Sequence, residues 1–346
     1  MNYEPPRSSE SRTMKMSDIA RLAGVSTSTV SRALADHASI PEATRKAIQA
    51  LADEHGYVIN RAAQNLRQSQ TKTIAVVASL GHEQQQMISD PFFLRLFGYL
   101  SDEIVKRGYD VLLVYDNAPN SDWLDRLIRS QRADGFIIAG QSDQHVALNR
   151  AAEHYLPMIV AGSQIPKQKY CSVGSDDFAG GRIATDHLLR SGRRRILFIG
   201  PADLPQIDRR LEGYRASLGE YGIKTDPALC LPARFTGHSA YEQTRHAITS
   251  GIKFDAVFAA SDGIAMSAIR AVEEFGRRCP QDVAVVGFDD SDFALQSRPQ
   301  LTTIRQDVQR LAATAVELLF QRLSGRQTRS RIIPVELVVR DSAPSS

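Results

Sequence analysis

Cysteine is scarce in this chain of 346 residues. Cys171, Cys230 and Cys279 stand far apart, with no CxxC and no paired spacing. That excludes a disulfide framework and a site of closely spaced thiolate ligands, and it reads as three reduced thiols. Long apolar runs are also missing, and none approaches the length of a membrane span. Positions 1–13 are polar, carry Pro5 and Pro6, and contain no apolar h-region. They read as a disordered leader and not as a secretory signal, so a cytoplasmic protein without a membrane partner is expected. Charge of one sign is lacking too: 42 Lys and Arg against 39 Asp and Glu leave a formal net charge of +3. Any nucleic-acid contact must rest on where cations sit, not on a strong overall field.

Catalytic signatures are absent as well. There is no GxGxxG, P-loop, HExxH or GxSxG, and Gly237-His238-Ser239-Ala240 fails the last pattern. The eight histidines are scattered. The chain is therefore expected not to be an enzyme and to need neither metal nor cofactor.

What is present is a 42% hydrophobic, 23% charged chain, ordinary for a globular protein and long enough for more than one domain. Its organising stretch runs from Ile19 to Leu34. Ile19, Ala20, Leu22 and Ala23 give one short helix an apolar face, with Ser17 placed as N-cap. Gly24 follows, where a left-handed turn carries little penalty. Ser26 caps a second helix in which Val30 and Leu34 share a face. The other face holds Thr27, Ser28, Ser31 and Arg32: short hydroxyls that permit close approach, and one cation suited to guanine. This is a helix-turn-helix pattern, although a polar-faced helical hairpin has the same periodicity. Pro41 and Glu42 open a third helix with Ala47, Ile48, Leu51 and Ala52 inward, and Gly56 ends it. Residues 14–59 thus read as a small headpiece, mildly basic with seven Lys/Arg against five Asp/Glu over 13–71.

Residues 60–72 read as a hinge and linker. Asn60 to Arg67 is too short for a stable isolated helix. It presents Leu66 beside Arg61 and Arg67, the composition of a plain linker or of a segment that folds on DNA and wedges a leucine into the minor groove. From Thr73 onward β-branched runs alternate with amphipathic helices, which is the mark of βαβ units on parallel sheets. Strands are expected at Ile74–Ser79, Asp110–Tyr115, Gly135–Ala139, Met158–Ala161, Arg195–Gly200, Ala256–Ala260, Val283–Phe288 and Ile332–Val339. Some 270 residues of this pattern suggest two similar lobes with a ligand cleft at the carboxyl ends of their strands.

The order of these parts resembles the LacI/GalR family of bacterial transcription repressors. The resemblance is carried by Asp18-Ile19-Ala20-Arg21-Leu22-Ala23-Gly24-Val25-Ser26 with Thr29-Val30-Ser31-Arg32, then by Pro41-Glu42-Ala43-Thr44-Arg45 and Asn60…Ala63-Gln64-Asn65-Leu66. Ser175-Asp176-Asp177-Phe178-Ala179-Gly180-Gly181, Arg210-Leu211-Glu212-Gly213-Tyr214, Ala260-Ser261-Asp262, Val285-Val286-Gly287-Phe288-Asp289-Asp290 and Pro299-Gln300-Leu301-Thr302-Thr303-Ile304 extend it over nearly the whole chain.

The resemblance implies a helix-turn-helix headpiece on an α/β, two-lobed, periplasmic-binding-protein-like module of doubly wound parallel sheets. It implies lobe 1 at about 73–162 and 300–322 and lobe 2 at about 173–290 and 330–346, crossing near 162–173, 290–300 and 322–330. It further implies a homodimer on a pseudo-palindromic double-stranded DNA operator. No leucine-heptad helix follows Arg340, so a dimer and not a tetramer is expected. By the same resemblance Thr27 and Ser28 read bases, Arg32 reaches bases or backbone, and Ser26, Thr29, Ser31 and Asn60 donate to phosphates. Arg61 lies beside them, and Leu66 matches a minor-groove wedge.

For the effector, the resemblance points to Asp90, Phe92, Arg210 (with Arg209 a competitor), Phe235, Ser261 and Asp289. Aromatic faces with a carboxylate and a guanidinium suit a neutral sugar. Phe92 and Phe235 also fit as core residues, Asp289 as a turn cap and Arg210 as a surface cation. Gly162 departs from relatives that carry an aspartate there. A repressor released by a small molecule, most simply a sugar, is the expected function. A corepressor-dependent regulator of a non-sugar metabolite is the alternative, and a sugar-binding protein without a DNA role a more remote one.

Overall fold

A computed structural model describes residues 14–57, 70–79, 89–116, 122–201 and 204–345. The chain forms two compact units, Met1–Thr71 and Lys72–Ser346.

In the first unit, α1 (Met16–Leu22), α2 (Thr27–Leu34) and α3 (Glu42–Glu54) enclose a core of Ile19, Ala20, Val30, Ala33, Ile40 and Ile48. Gly24, at φ 65°, makes the left-handed turn between α1 and α2. The cap of α1 differs from expectation. Lys15 is the N-cap, and Asp18 accepts its backbone N–H at 3.1 Å, so Ser17 lies within the helix. An aspartate at the third helical position satisfies that orphan donor better than a serine two residues past the cap. Ser26 does cap α2, its Oγ accepting from the Thr29 N–H at 3.1 Å. Gln49 of α3 donates to Ala33 O and Asp36 Oδ1, tying α3 to the end of α2.

The second unit contains two six-stranded sheets with one shared topology. The first is ordered β11-β5-β4-β3-β1-β2, from β1 (Thr73–Ser79), β2 (Asp110–Asp116), β3 (Gly135–Ala139), β4 (Met158–Ala161), β5 (Cys171–Ser175) and β11 (Arg331–Ile333). The second is ordered β12-β10-β9-β8-β6-β7, from β6 (Ile196–Gly200), β7 (Cys230–Pro232), β8 (Ala256–Ala259), β9 (Ala284–Asp289), β10 (Thr302–Gln306) and β12 (Val335–Val338). Pairing is parallel throughout except between β10 and β12. Each order reverses once, after β1 and after β6. Such switch points leave a crevice at the carboxyl ends of the strands.

The lobe boundaries expected from sequence need correction. The chain crosses at Asp176, Asp307 and Pro334, in each case one strand later than expected. β5 and β11 complete the first sheet, and β10 belongs to the second, so the segment from Pro299 to Ile304 does not itself return the chain to lobe 1. The cause is compositional. Cys171-Ser172-Val173-Gly174-Ser175 and Thr302-Thr303-Ile304-Arg305-Gln306 are nearly all buried, yet they carry too many small or polar side chains to read as apolar runs. Asp176 and Asp307 also cap the next helices, accepting from Ala179 N at 3.0 Å and Arg310 N at 2.9 Å. The expected strand Ile332–Val339 is therefore two strands in different sheets, broken at Pro334. The His145–His154 and Gly237–Thr249 helices were not anticipated, because alanines and polar residues dilute their periodicity.

Candidate functional site

In the headpiece, Ser26, Thr27, Ser28 and Arg32 are exposed, while Thr29 and Ser31 are half-buried. Ser26 Oγ is hydrogen-bonded to Ser28 Oγ at 2.8 Å and to Thr29 Oγ1 at 2.9 Å. The hydroxyls at the start of α2 are thus ordered as one group beside the Thr27 and Ser28 N–H groups, which have no partner within the helix, an arrangement suited to phosphate oxygens. Arg32 has no carboxylate partner among the described residues. Asn60, Arg61 and Leu66 lie outside the described residues.

In the larger unit, a cavity lies between the lobes at the strand ends, the position where sheets with such switch points bind small molecules. Asp90, Phe92, Arg210, Phe235 and Asp289 all line it, together with Ser163, Ser175, Asp177, Gln206 and Gln306. Each sequence-predicted residue gets there through a local device. Asp90 is the N-cap of α4 (Pro91–Val105) and accepts from the Phe92 N–H at 2.9 Å. Burial pushes its carboxyl pKa up, against those backbone bonds. Phe92 follows on the first turn.

Arg210 owes its position to glycine. A Cβ on Gly213 would stand 2.2 Å from Phe178 O, and one on Gly181 2.1 Å from Arg210 O. The helices α7 (Asp177–Arg190) and α8 (Pro205–Glu220) can therefore meet backbone to backbone, which sets Arg210 beside Asp177. Nε of Arg210 donates to Asp177 Oδ1 at 2.9 Å, and Nη1 donates to Ala260 O at 2.5 Å. The guanidinium also lies over Phe288, 3.5 Å from the ring centroid. Asp177 accepts a further bond from Ser163 Oγ at 2.5 Å. Burial raises its pKa, opposed by Arg210 and by the Ser163 hydroxyl. Arg209, the sequence-level competitor, points elsewhere and pairs with Glu212 at 2.5 Å.

Asp289 ends β9 with φ 115°, outside the ordinary range for a side-chain-bearing residue. Its Oδ1 accepts from Gln306 Nε2 at 2.6 Å, and Gln306 Oε1 accepts from Ser175 Oγ at 2.5 Å. Burial holds the Asp289 pKa well above the usual carboxylate range. Arg210 opposes that shift, while Asp262 and Asp90 add to it.

Ser261 is the correction. It does not line the cavity; its Oγ caps α10 (Asp262–Glu274), accepting from the Ile264 N–H at 3.3 Å. A serine at a strand-to-helix junction is claimed first by the helix's unpaired donors, and a longer amide would be needed to serve a ligand as well. At Gly162 the room for a side chain is taken: a Cβ there would stand 2.6 Å from Gln141 Oε1.

Asp177 and Gln306 are functional candidates that sequence reasoning missed. The doublet Asp176-Asp177 held a usable signal, since one aspartate suffices for the cap and the second is left over. Gln306 gave none, because its strand was not recognised. Among the described residues the lining carries three carboxylates, Asp90, Asp177 and Asp289, against one guanidinium. A phosphate or carboxylate ligand would find no uncommitted cation among these described residues. Among the described residues no cluster fits a metal ion, and no helix is long and apolar enough to cross a membrane.

Comparison with known proteins agrees with this division. Residues 15–60 match the family described as bacterial regulatory proteins, lacI family, and residues 185–343 match a periplasmic binding protein-like domain. The transcriptional regulator CelR of Thermobifida fusca is 32% identical over 330 residues, covering 94% of this chain and 96% of that protein. The repressor CytR of Escherichia coli (strain K12) is 29% identical over 333 residues, covering 94% and 95%. Among solved structures, a CelR–cellobiose complex aligns with TM-score 0.71 at 30% identity, over 95% of this chain and 99% of that one. A lac repressor dimer bound to operator and an anti-inducer aligns with TM-score 0.86 at 26% identity, over 96% and 100%.

Proposed function

The chain belongs to the lacI family of bacterial regulatory proteins, and from that premise we propose that it is a dimeric operator-binding repressor released by a neutral sugar held between its lobes. The observation that carries the sugar reading is the Asp177–Arg210 pair. The one guanidinium among the described residues of the cavity is already neutralised inside the protein, so it can offer its remaining N–H donors to hydroxyls but has no net charge for an anion. Phe92 and Phe235 supply apolar faces for sugar C–H groups, and the Gln306–Asp289 pair supplies an oriented acceptor. CelR, solved with cellobiose, is a relative of matching chain length.

In this reading, α2 enters the major groove. Thr27, Ser28 and Arg32 face base edges, and the Ser26–Thr29 hydroxyls and Ser31 hold phosphates. Asn60, Arg61 and Leu66 serve as the minor-groove hinge. Sugar binding favours one relation of the lobes, and a coupling of about 1–3 kcal/mol to the hinge is enough to release DNA. Fluorescence anisotropy on a labelled fragment of the protein's own promoter, with competitor DNA, tests this. Tight binding released by one mono- or disaccharide is the expected result. Release by a phosphorylated sugar and by no neutral one would contradict the cavity argument, and absence of specific binding would contradict the headpiece assignment.

A further inference from the structure

We propose that Arg95 and the Asp289–Asp290 turn form an interlobe latch that couples lobe closure to the occupancy of Asp289, a reading that rests on the cleft being the effector site. Arg95 lies on α4, one turn beyond Phe92, and does not line the cavity. Its Nη1 donates to the backbone carbonyl of Asp290 at 2.9 Å, joining a helix of the first lobe to a turn of the second.

That turn is unusual. Asp289 and Asp290 both have left-handed φ, 115° and 51°, which non-glycine residues adopt only where their surroundings impose it. The second lobe imposes it from several directions. Arg305 Nε and Arg340 Nη2 each donate to the Asp290 carboxylate at 2.6 Å. Asp262 Oδ2 accepts the Ser291 N–H at 2.7 Å. The turn has two outward contacts: the Asp289 carboxylate faces the cavity, and the Asp290 carbonyl faces Arg95. Because the clamps hold everything else, a ligand that turns Asp289 moves the neighbouring carbonyl relative to Arg95.

Two other side-chain bonds join the lobes among the described residues, Ser163 to Asp177 and Ser175 to Gln306. Each ends one residue from a crossing of the chain, close to the pivot. Arg95 and Asp290 are tied to no crossing by sequence, so their bond depends on the angle between lobes. The bond therefore favours the closed relation that completes the cavity. Arg95 is a positioning residue: without it the closed, effector-competent population falls and apparent affinity falls in proportion.

The test uses the full chain with Arg95→Met, which keeps the helix and the apolar stem but removes the donor, and Arg95→Lys, which restores one. Hydrogen exchange followed by mass spectrometry is read without effector on a peptide spanning 286–293, with one spanning 135–139 as control. Loss of one hydrogen bond predicts about fivefold faster exchange at 286–293 in Arg95→Met, no change in the control, and partial recovery in Arg95→Lys. Operator release is then titrated with cellobiose, D-glucose and D-ribose as probes. For any that acts, the half-release concentration is expected to rise about fivefold in Arg95→Met, following the same loss. Unchanged exchange overturns the latch. Faster exchange with an unchanged half-release concentration overturns the coupling. If none of the three sugars acts on the wild-type protein, the sugar reading fails for these probes, and the exchange comparison alone decides the latch.

Discussion

Asp177 and Arg210 meet at 2.9 Å with only 5% and 6% of their side chains accessible, so the central charge pair of the cleft is buried and self-neutralising. A pair of this kind adds little net stability when intact but is costly to break, because the surviving charge is left without a partner. Arg210→Met is expected to destabilise the larger unit by about 3–5 kcal/mol and to abolish the effector response. Urea unfolding and operator-release titration measure the two losses. The double variant Asp177→Asn/Arg210→Met should recover part of the stability and none of the response.

Asp289→Asn separates the two functions. The substitution sits in the cleft of the second unit and leaves every headpiece residue unchanged, so operator affinity is expected to stay within twofold of wild type, about 0.4 kcal/mol, while release by effector is lost. A normal effector response in this variant would remove Asp289 from the binding site.

Acid should favour the fold at Asp262. Burial pushes its carboxyl pKa up to about 6, against hydrogen bonds from Thr303 and Ser291, and the nearby Asp290 adds to the rise. A carboxyl whose folded pKa exceeds its unfolded value of about 3.9 stabilises the fold below that value. The contribution disappears as pH rises through about 6. Relative to Asp262→Asn, the wild type is therefore expected to lose roughly 2 kcal/mol of stability between pH 4 and pH 7. Denaturant melts of both proteins across that range provide the comparison, and parallel curves would contradict the assignment.

Gly213→Ala should act on the cleft from behind. The added Cβ would stand 2.2 Å from a backbone oxygen that cannot rotate away, so α7 and α8 must separate. Overpacking of this kind destabilises by about 1–3 kcal/mol or more. The displacement carries Arg210 with it, so effector affinity should fall alongside stability. An unchanged effector titration would show that Arg210 does not depend on this contact.

Arg32→Ala should leave the headpiece folded, because the side chain is exposed and outside its core. Specific operator binding is expected to weaken by about 1–3 kcal/mol. Anisotropy against specific and random DNA distinguishes lost base contact from a uniform loss of phosphate contact.

Much of this molecule is written locally. Ser26 as a cap, Gly24 as a left-handed turn and the Val30 face of α2 follow from short-range geometry, and the helix-turn-helix was legible from them. The β3 and β4 boundaries were likewise readable, because their apolar runs are unbroken. The family signatures also led to five cavity residues, since four sit next to a recognisable strand end or helix start and Arg210 lies three residues before Gly213.

What the sequence by itself determined, then, is the kind of element each stretch forms and the residue types held ready at its ends. Only the tertiary structure decided which lobe receives β5, β10 and β11, because small polar strands owe their place to burial by neighbours and not to their own pattern. It also decided that Asp177 and Gln306 belong to the cleft, that Ser261 is spent on a helix cap, and that Arg95 reaches Asp290. Those relationships join residues far apart in the chain, and no periodicity within one element encodes the distance between two.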